Sequence, residues 1–288
     1  MDILNGVLLV DKPQGITSQT LVTKIKRHLH VNKIGHAGTL DPLATGLMVV
    51  LLGSATKLSD YLMSNEKEYQ CEILLGLSSD TEDIEGNITN EKQVKEINNI
   101  DEVLNGLIGE LSQIPPMYSS IHHNGVKLYE LARKGIEVER EPRIIEVKSI
   151  KRISDIIYSE GKAKFSFLTS VSKGTYIRTL CVEIGNRLEY PALMNALRRT
   201  KSGAFNIENA YTLDDILNDN FKILSNYEAI QDKDTFIIDE NTYKDVLNGK
   251  MITLSSTKQE LFLIYKNELV AIYENKEGQV YKAKRVWN

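Results

Sequence analysis

The apolar residues of this chain fall into short runs separated by turns, which predicts many strands and few long helices. Two of these runs are apolar at every position or nearly so, at residues 6–10 (GVLLV) and 47–52 (LMVVLL). Continuous apolar runs of this length, bounded by turn residues, are typical of strands buried on both faces. We therefore predict two buried strands here.

Further strands and helices are predicted from the remaining pattern. Partial alternation of strand-forming residues predicts strands at 68–75, 136–147 and 165–171. Apolar residues spaced three and four apart predict a helix that begins at Ser18, interpreted as its N-cap, and another that ends near Leu188.

The end of the chain carries a separate pattern. After a connector rich in Asn and Asp, tight turns join three strand signals, at 261–265, 269–273 and 280–287. We predict an α+β fold with a mixed, largely antiparallel central sheet flanked by helices, followed by a small C-terminal β domain. The predicted division is into residues 1–232 and residues 233–288.

Residues 35–46 (GHAGTLDPLATG) form the loop before the second apolar run, and they hold two groups capable of proton or nucleophilic chemistry, His36 and Asp41. Three glycines and a proline exclude a regular helix or an inner strand. One interpretation is a positioned catalytic carboxylate. The other is a structural turn in which Asp41 caps backbone donors, and the residues alone favour it because Asp before Pro is common in turns.

Charge is distributed unevenly along the chain, although the net charge is only −4. Residues 120–205 contain 16 Lys or Arg and 9 Asp or Glu, whereas the rest contains 19 basic and 30 acidic residues. This asymmetry predicts one face that attracts a polyanion, with a chance excess of solvated lysines as the alternative. Residues 114–143, rich in His, Lys, Arg and Tyr, are interpreted as an excursion from the main body.

Several protein classes are excluded by what the sequence lacks. The start has no basic segment or cleavage site of a secretory signal, and no apolar run approaches the roughly 18 residues of a membrane span. Cys71 and Cys181 are predicted to be buried free thiols in a reducing cytosol, which gives a cytoplasmic location. Glycine-rich nucleotide loops are missing and the five histidines are scattered, so we predict neither a cofactor nor a metal.

Six segments together form a specific pattern: GVLLVDKPQG at 6–15, the loop at 35–46, IPPMYS at 114–119, KLYELARKG at 127–135, SKGTYIR at 172–178 and LRR at 197–199. In this order they resemble the TruB family of bacterial tRNA pseudouridine-55 synthases, over about residues 5 to 205. The C-terminal meander resembles the small PUA-like RNA-binding domain of such enzymes. One departure is Ser120-Ile121, where the family more usually has Ala after Tyr-Ser.

The resemblance implies a reaction and its catalytic residues. Uridine in the T-loop of tRNA is isomerised to pseudouridine, with Asp41 as the nucleophile; attack on C6 of the base and attack on C1′ of the sugar both remain open. Arg178 matches the family position that pairs with this aspartate and holds it ionised. A buried Arg that only ties elements together is the alternative for Arg178.

The resemblance also implies a binding pocket. Tyr69 matches the tyrosine that stacks on the target base, and Tyr176 and Leu197 match further pocket positions, with core packing as the alternative for all three. His36 matches the residue that occupies space near the flipped base. The remaining implied residues are structural supports and RNA backbone contacts, respectively Lys12 and Pro13, and Lys127, Arg133, Arg198 and Arg199.

The implied partner is the T-arm stem-loop of tRNA, bound by a monomer without an obligatory protein partner, with residues 114–143 as an RNA-binding insertion. Two alternatives remain. One is a pseudouridine synthase that acts on another RNA, and the other is an RNA-folding chaperone in which catalysis is secondary.

Overall fold

The computed structural model describes residues 4–63 and 66–287. Residues 1–3 of the first predicted domain, residues 64–65, and residue 288 of the second predicted domain lie outside the described part. The strands of the first 232 residues, in chain order, are Gly6–Lys12 (β1), Ile34–His36 (β2), Thr45–Leu52 (β3), Glu66–Leu75 (β4), Leu77–Ser79 (β5), Ile88–Glu91 (β6), Gly109–Gln113 (β7), His122–His123 (β8), Val126–Lys127 (β9), Arg143–Arg152 (β10), Ile157–Ser159 (β11), Lys162–Ser172 (β12), Ala192–Ser202 (β13), Phe205–Asn206 (β14) and Tyr211–Thr212 (β15).

The later strands are Thr235–Ile237 (β16), Ile252–Thr253 (β17), Glu260–Tyr265 (β18), Glu268–Glu277 (β19) and Val280–Val286 (β20). The α-helices are Ser18–His28 (α1), Ser59–Leu62 (α2), Ile100–Asn105 (α3), Leu128–Ala132 (α4), Ile177–Arg187 (α5), Leu213–Leu217 (α6) and Glu240–Leu247 (α7). Short 3₁₀ helices lie at Gly53–Leu58, Ile207–Asn209 and Glu228–Ile230. In the described residues, no helix is both long and apolar enough to cross a membrane.

The central sheet of the described residues has the strand order β15-β1-β3-β13-β4-β12-β10-β7, with β2, β14 and β11 paired beside β3, β13 and β12. Neighbouring strands are antiparallel except for the pairs β1–β15 and β3–β13. The predicted α+β class with a mixed, largely antiparallel sheet is confirmed. The parallel β3–β13 pair is important for the site because it places the end of the 35–46 loop against β13.

The two continuous apolar runs are buried strands, as predicted, and the structure shows why both faces are apolar. On β3, Met48 and Val50 pack into a core with helix residues such as Ile25 and Ile184. Leu47 and Val49, which alternate with them, pack into a second core that includes Phe262 and other residues of the C-terminal sheet. A strand covered on both sides cannot alternate apolar with polar residues.

Two predicted boundaries were wrong. The strand expected from residue 136 begins at Arg143, because the residues before it belong to an irregular segment. The N-cap of α1 is Thr17, whose hydroxyl accepts a hydrogen bond from the amide of Thr20 at 3.0 Å. Ser18 lies inside the helix with its side chain buried and turned toward Leu40, as described below.

The excursion at 114–143 leaves and rejoins the sheet at one place. Gln113 at the end of β7 pairs directly with Arg143 at the start of β10. Between them lie the β8–β9 hairpin and α4. The segment is therefore an insertion whose two ends are neighbours across a strand pair.

The C-terminal sheet has the order β16-β18-β19-β20-β17. It has its own core, with Leu263, Tyr273 and Tyr281 fully buried, and it also shares the second core with β1 and β3. Two polar contacts add to this interface: Trp287 donates its indole N–H to the carbonyl of Ser54, and Arg285 pairs with Asp60 at 2.9 Å. The division at residue 232 stays a prediction.

Gly46 is the point of closest approach between β3 and β13. Its φ is +102°, and a Cβ there would lie 2.3 Å from the carbonyl oxygen and 2.7 Å from the nitrogen of Arg199. Backbone atoms cannot yield as a flexible side chain would, so only glycine allows the two strands to meet here.

We therefore expect Gly46→Ala to lower the free energy of unfolding by about 3 kcal/mol, measured by chemical denaturation. Gly15→Ala is the matched control, because Gly15 also has a positive φ (+85°) but a Cβ there would meet nothing within 4 Å. Its expected cost is about 1 kcal/mol. Equal losses in the two variants would contradict the close-approach argument.

Candidate active site

The 35–46 loop is held by its backbone carbonyls. Arg199 donates to the carbonyls of Gly38 (3.2 Å) and Thr39 (3.3 Å), and the Ser18 hydroxyl donates to that of Leu40 (2.9 Å). The Asp41 carbonyl accepts the amide of Ala44 at 3.1 Å. The carbonyls of four consecutive residues thus each have a hydrogen-bond donor, although none of these residues lies in a strand.

The next carbonyl, that of Pro42, accepts the amide of Gly15 at 2.9 Å and the ammonium of Lys12 at 3.3 Å. Lys12 is fully buried and donates also to the carbonyls of Pro13 and Ile16, both at 2.8 Å. Burial lowers the pKa of Lys12 to about 8, with the negative charge of Asp41 acting in the opposite direction. These contacts describe a lysine that joins the turn after β1 to the loop that carries Asp41.

Arg199 does not have the position that the sequence analysis expected. We predicted a contact with the RNA backbone, but its side chain is fully buried. Besides the two loop carbonyls it donates to the carbonyl of Leu47 at 2.7 Å. The prediction is wrong because successive side chains of β13 point to opposite faces of the sheet. Arg199, paired with Gly46 of β3, points inward under the loop, while the side chain of Arg198 stays 40% exposed.

Asp41 itself faces the opening. Its carboxylate is 43% exposed, and its Oδ2 lies 3.1 Å from Nε of Arg178, which is only 5% exposed. The other Arg178 nitrogens donate to the carbonyls of Thr81 (2.9 Å) and Tyr118 (2.8 Å), and Nη1 lies 3.8 Å from Asp83. The guanidinium is therefore fixed by two segments besides the loop, the turn at residues 81–83 and the segment around Tyr118, and it offers Asp41 a charge of fixed orientation.

Asp41 and Arg178 line a cleft of about 880 Å³, large enough for a nucleotide. The structure brings to the same cleft His36 from β2, Tyr69 from β4, Leu197 from β13, and Tyr176 next to α5. All the residues that the resemblance assigns to catalysis or to base binding thus lie around one opening, although 161 positions separate His36 from Leu197 in the sequence.

The apolar wall of the cleft is rigid. Tyr69 and Leu197 are each 8% exposed, so both side chains are held by packing and present only a small part of their surface to the cleft. For Tyr69 that part belongs to an aromatic ring, which can stack on a planar ligand. Tyr176 is held by Gln113, which accepts the Tyr176 amide at 2.8 Å and donates to the Tyr176 carbonyl at 3.1 Å. Burial raises the pKa of the Tyr176 hydroxyl, so this group stays protonated at neutral pH.

His36 is uncharged in this setting. Burial and the nearby positive charge of Arg199 lower the pKa of its imidazole. Its Nδ1 is buried without a hydrogen-bond partner among the described residues. A neutral ring at the edge of the cleft is suited to contact a nucleobase rather than a phosphate.

Of the predicted RNA contacts, Lys127 and Arg133 lie on the insertion and line the same cleft. Both stack on Tyr129, at 5.7 and 5.3 Å from its ring centre. Arg198 makes two hydrogen bonds to the carboxylate of Asp11, at 3.0 and 2.6 Å, so part of its charge is already neutralised.

Sequence reasoning missed three groups at the site. Ser18 holds the loop, and Asp83 lies beside Arg178. A serine in a helix or an aspartate in a turn does not by itself indicate a role in supporting a site. Lys67 lines the cleft on the same strand as Tyr69, two residues earlier. The sequence could have predicted this position, because Lys67 falls on the inward-facing series of an alternating strand.

Among the described residues, no three His, Cys, Asp or Glu side chains come together as a metal site would need. Cys71 and Cys181 are free and buried, as predicted, with their sulfurs 3.5 Å apart. Burial raises the pKa of Cys71, which leaves it an unreactive thiol.

Comparison with known proteins agrees with this geometry. Residues 26–177 match the model of the TruB family pseudouridylate synthase N-terminal domain, and residues 178–231 match that of the tRNA pseudouridylate synthase B C-terminal domain. The chain belongs to the TruB family. It is a pseudouridine synthase, as the resemblance implied.

Individual TruB relatives cover most of the chain. The tRNA pseudouridine synthase B of Streptococcus sanguinis (strain SK36) is 40% identical over 99% of this chain and 100% of its own length. That of Bacillus subtilis (strain 168) is 46% identical over 74% of this chain and 70% of its own. The crystal structure of a Cbf5–Nop10–Gar1 complex matches with a TM-score of 0.73 and 26% identity, over 99% of this chain and 85% of that chain.

The corrected role of Arg199 leads to a stability prediction. Arg199→Met would leave the carbonyls of Gly38, Thr39 and Leu47 without a donor, so we expect the free energy of unfolding to fall by about 3 kcal/mol or more. Arg198→Met, next to it but partly exposed, should cost about 1 kcal/mol or less. Chemical denaturation of both variants checks this. The reverse order of losses would restore the original interpretation of Arg199.

Proposed function

We propose that this chain isomerises uridine 55 in the T-loop of tRNA to pseudouridine, with Asp41 as the nucleophile. The observation that carries the proposal is the Asp41–Arg178 pair at 3.1 Å, in which a half-exposed carboxylate faces the cleft and a buried guanidinium lies behind it. The names of the curated relatives, tRNA pseudouridine synthase B, support tRNA as the substrate.

The reaction is an isomerisation and needs no external oxidant or reductant. The bond from C1′ to N1 breaks, a bond from C1′ to C5 forms, the proton on C5 leaves, and N1 gains a proton. A carboxylate nucleophile divides this change into two easier steps by forming a covalent adduct, at C6 or at C1′. Arg178 orients the Asp41 carboxylate and holds a fixed positive charge beside it, in a site where bound RNA would exclude water.

The target base must leave the folded T-loop to reach Asp41, at a cost of a few kcal/mol for unstacking. Tyr69 supplies a ring on which the extruded base stacks, and Leu197 and Tyr176 close the pocket around it. His36, uncharged at neutral pH, occupies the edge of the pocket. Stacking on the tyrosine offsets part of the cost of extrusion.

The insertion provides the grip on the RNA backbone. Lys127 and Arg133 both contact the ring of Tyr129 and line the cleft, where they would contact phosphates near the flipped nucleotide. Arg198, exposed but paired with Asp11, is a weaker candidate. We further propose that the protein acts as a cytoplasmic monomer and that residues 233–288 form a PUA-like domain that adds to RNA binding.

A synthase that acts on a different RNA is the nearest alternative, because one matching structure is an H/ACA RNP bound to a substrate RNA. Its identity of 25% to this chain is well below the 40% of the S. sanguinis relative over nearly the same span, which favours tRNA. An RNA chaperone with secondary catalysis would use the cleft and the insertion without needing Asp41.

Asp41→Asn separates enzyme from chaperone. We expect pseudouridine formation on an unmodified T-arm stem-loop to fall by at least about 10⁴-fold, because the amide cannot act as a nucleophile. RNA affinity should stay within a few-fold. Asp60→Asn, a surface carboxylate paired with Arg285, serves as the control and should keep full activity. Continued turnover by Asp41→Asn would show that another group performs the chemistry.

Arg178→Lys tests the orientation of the charge. A lysine keeps the positive charge but cannot bind Asp41 and the carbonyls of Thr81 and Tyr118 together, so turnover should fall about 100-fold or more. Unfolding free energy should fall by about 1–3 kcal/mol, measured in parallel. Arg187→Lys on the same helix, paired with Glu183 at the surface, should change neither quantity appreciably. Full activity of Arg178→Lys would show that Asp41 needs only a positive charge nearby and not the fixed orientation of the guanidinium.

A further inference from the structure

Lys67 occupies an unusual place on β4. Side chains on this strand alternate, and Tyr69, Cys71 and Ile73 face the core. Lys67 belongs to the same series, so it faces the cleft rather than solvent. It is half-buried beside the 35–46 loop, with Nζ 3.6 Å from the point where a Cβ on Gly38 would lie.

The positive charge of Lys67 is not matched by the protein. Among the described residues it makes no hydrogen bond or ion pair. Its two acidic neighbours alternate to the other face of β4, where Glu66 pairs with Lys148, and Glu68 with Lys201 and the hydroxyl of Thr200. No carboxylate of this strand is therefore available to Lys67.

The charges that do face Lys67 are positive. Burial lowers the pKa of Lys67 to about 8. The positive charges of Arg199, on the adjacent β13, and of Lys173, just after β12, lower this pKa in the same direction. Arg199 is committed to three carbonyls of the loop and of β3. A cation that is half-buried beside other cations, with no acceptor of its own, is stabilised only when an anion enters the cleft.

We propose that Lys67 forms a subsite for a backbone phosphate next to the target uridine. This inference rests on the proposed function, in which RNA brings its extruded nucleotide to Asp41. That nucleotide carries a phosphate on each side, and both must pass the wall of the cleft. Arg178 holds Asp41, whereas Lys67 has no acidic partner and receives the phosphate.

Gly38 places the 35–46 loop beside this subsite. Its φ of +114° suits glycine, and a Cβ there would lie at ordinary van der Waals distance from Nη1 of Arg199 (3.5 Å) and from Nζ of Lys67 (3.6 Å). The carbonyl of Gly38 accepts from Arg199 at 3.2 Å, so the loop that carries Asp41 also forms one wall of the subsite.

The test measures RNA binding in proteins that also carry Asp41→Asn, so that no turnover occurs. The probes are T-arm stem-loops in which the linkage on the 5′ or the 3′ side of the target uridine is an uncharged methylphosphonate. A 2′-O-methyl group stabilises each modified linkage, and the charged stem-loop with the same 2′-O-methyl group is the reference. Lys67→Met, Lys67→Arg and the control Lys148→Met, on the opposite face of the sheet, are compared.

We expect Lys67→Met to weaken binding of the charged stem-loop about tenfold or more, and Lys67→Arg to stay within about threefold. Neutralising one of the two linkages should cost the parent protein a similar factor and cost Lys67→Met little more. The slope of log affinity against log salt should fall by about 0.7–1 in Lys67→Met. Lys148→Met should bind like the parent.

If the loss of RNA affinity caused by Lys67→Met and the loss caused by each uncharged linkage are independent and multiply, the subsite is overturned while the proposed function stays intact. Unchanged binding by Lys67→Met would do the same, and if its single-turnover rate nevertheless fell in an Asp41 background, the amine would act on the base rather than on a phosphate. Failure of the parent protein to bind the charged T-arm at all would overturn the proposed substrate and the subsite with it.

Discussion

The site depends on how buried cations satisfy the carbonyls of one irregular loop. A loop that presents a carboxylate to a cleft has no neighbouring strand to donate hydrogen bonds to its carbonyls, and unpaired buried carbonyls are costly. Arg199 and Lys12 supply the missing donors from beneath, and Ser18 supplies one from α1. The cost of burying two charges is offset by several charge-assisted bonds each. As a result, the backbone of Asp41 is fixed before any substrate arrives.

Arg178 extends this frame to the rest of the cleft. It joins Asp41 to the carbonyl of Thr81, to the carbonyl of Tyr118 at the base of the insertion, and to Asp83. The orientation of the Asp41 carboxylate is thereby linked to the position of the insertion. Movement of the insertion upon RNA binding would act on Asp41 through one guanidinium.

Much of this arrangement was predictable from the sequence, for identifiable reasons. The runs at 6–10 and 47–52 predicted strands buried on both faces, and the structure places a core on each side of them. The motifs around Asp41 and Arg178 predicted the family. Local patterns could not show which of the two arginines points inward. Alternation along β13 places Arg198 and Arg199 on opposite faces, and the non-local register of β13 with β3 sets Arg199 under the loop, where it is fully buried.

The missed residues have the same explanation. Ser18 has the residue type of a helix cap, yet Thr17 takes that place and Ser18 bonds to a loop 22 residues away. Lys67 lies just before the strand predicted at 68–75, and the alternation through Tyr69 and Cys71, extended toward the start of β4, places it inward. Strand parity, traced outward from a buried aromatic residue, is the signal to use in such cases.

The central claim is that this preformed frame holds the Asp41 carboxylate at the reacting nucleotide. A structure of the Asp41→Asn protein bound to an unmodified T-arm stem-loop tests it most directly. The account predicts an extruded uridine stacked on Tyr69, with the side chain at position 41 within about 3.5 Å of C6 or C1′ and the loop backbone unmoved. A uridine still stacked in the T-loop, or one bound in the cleft away from position 41, would contradict it.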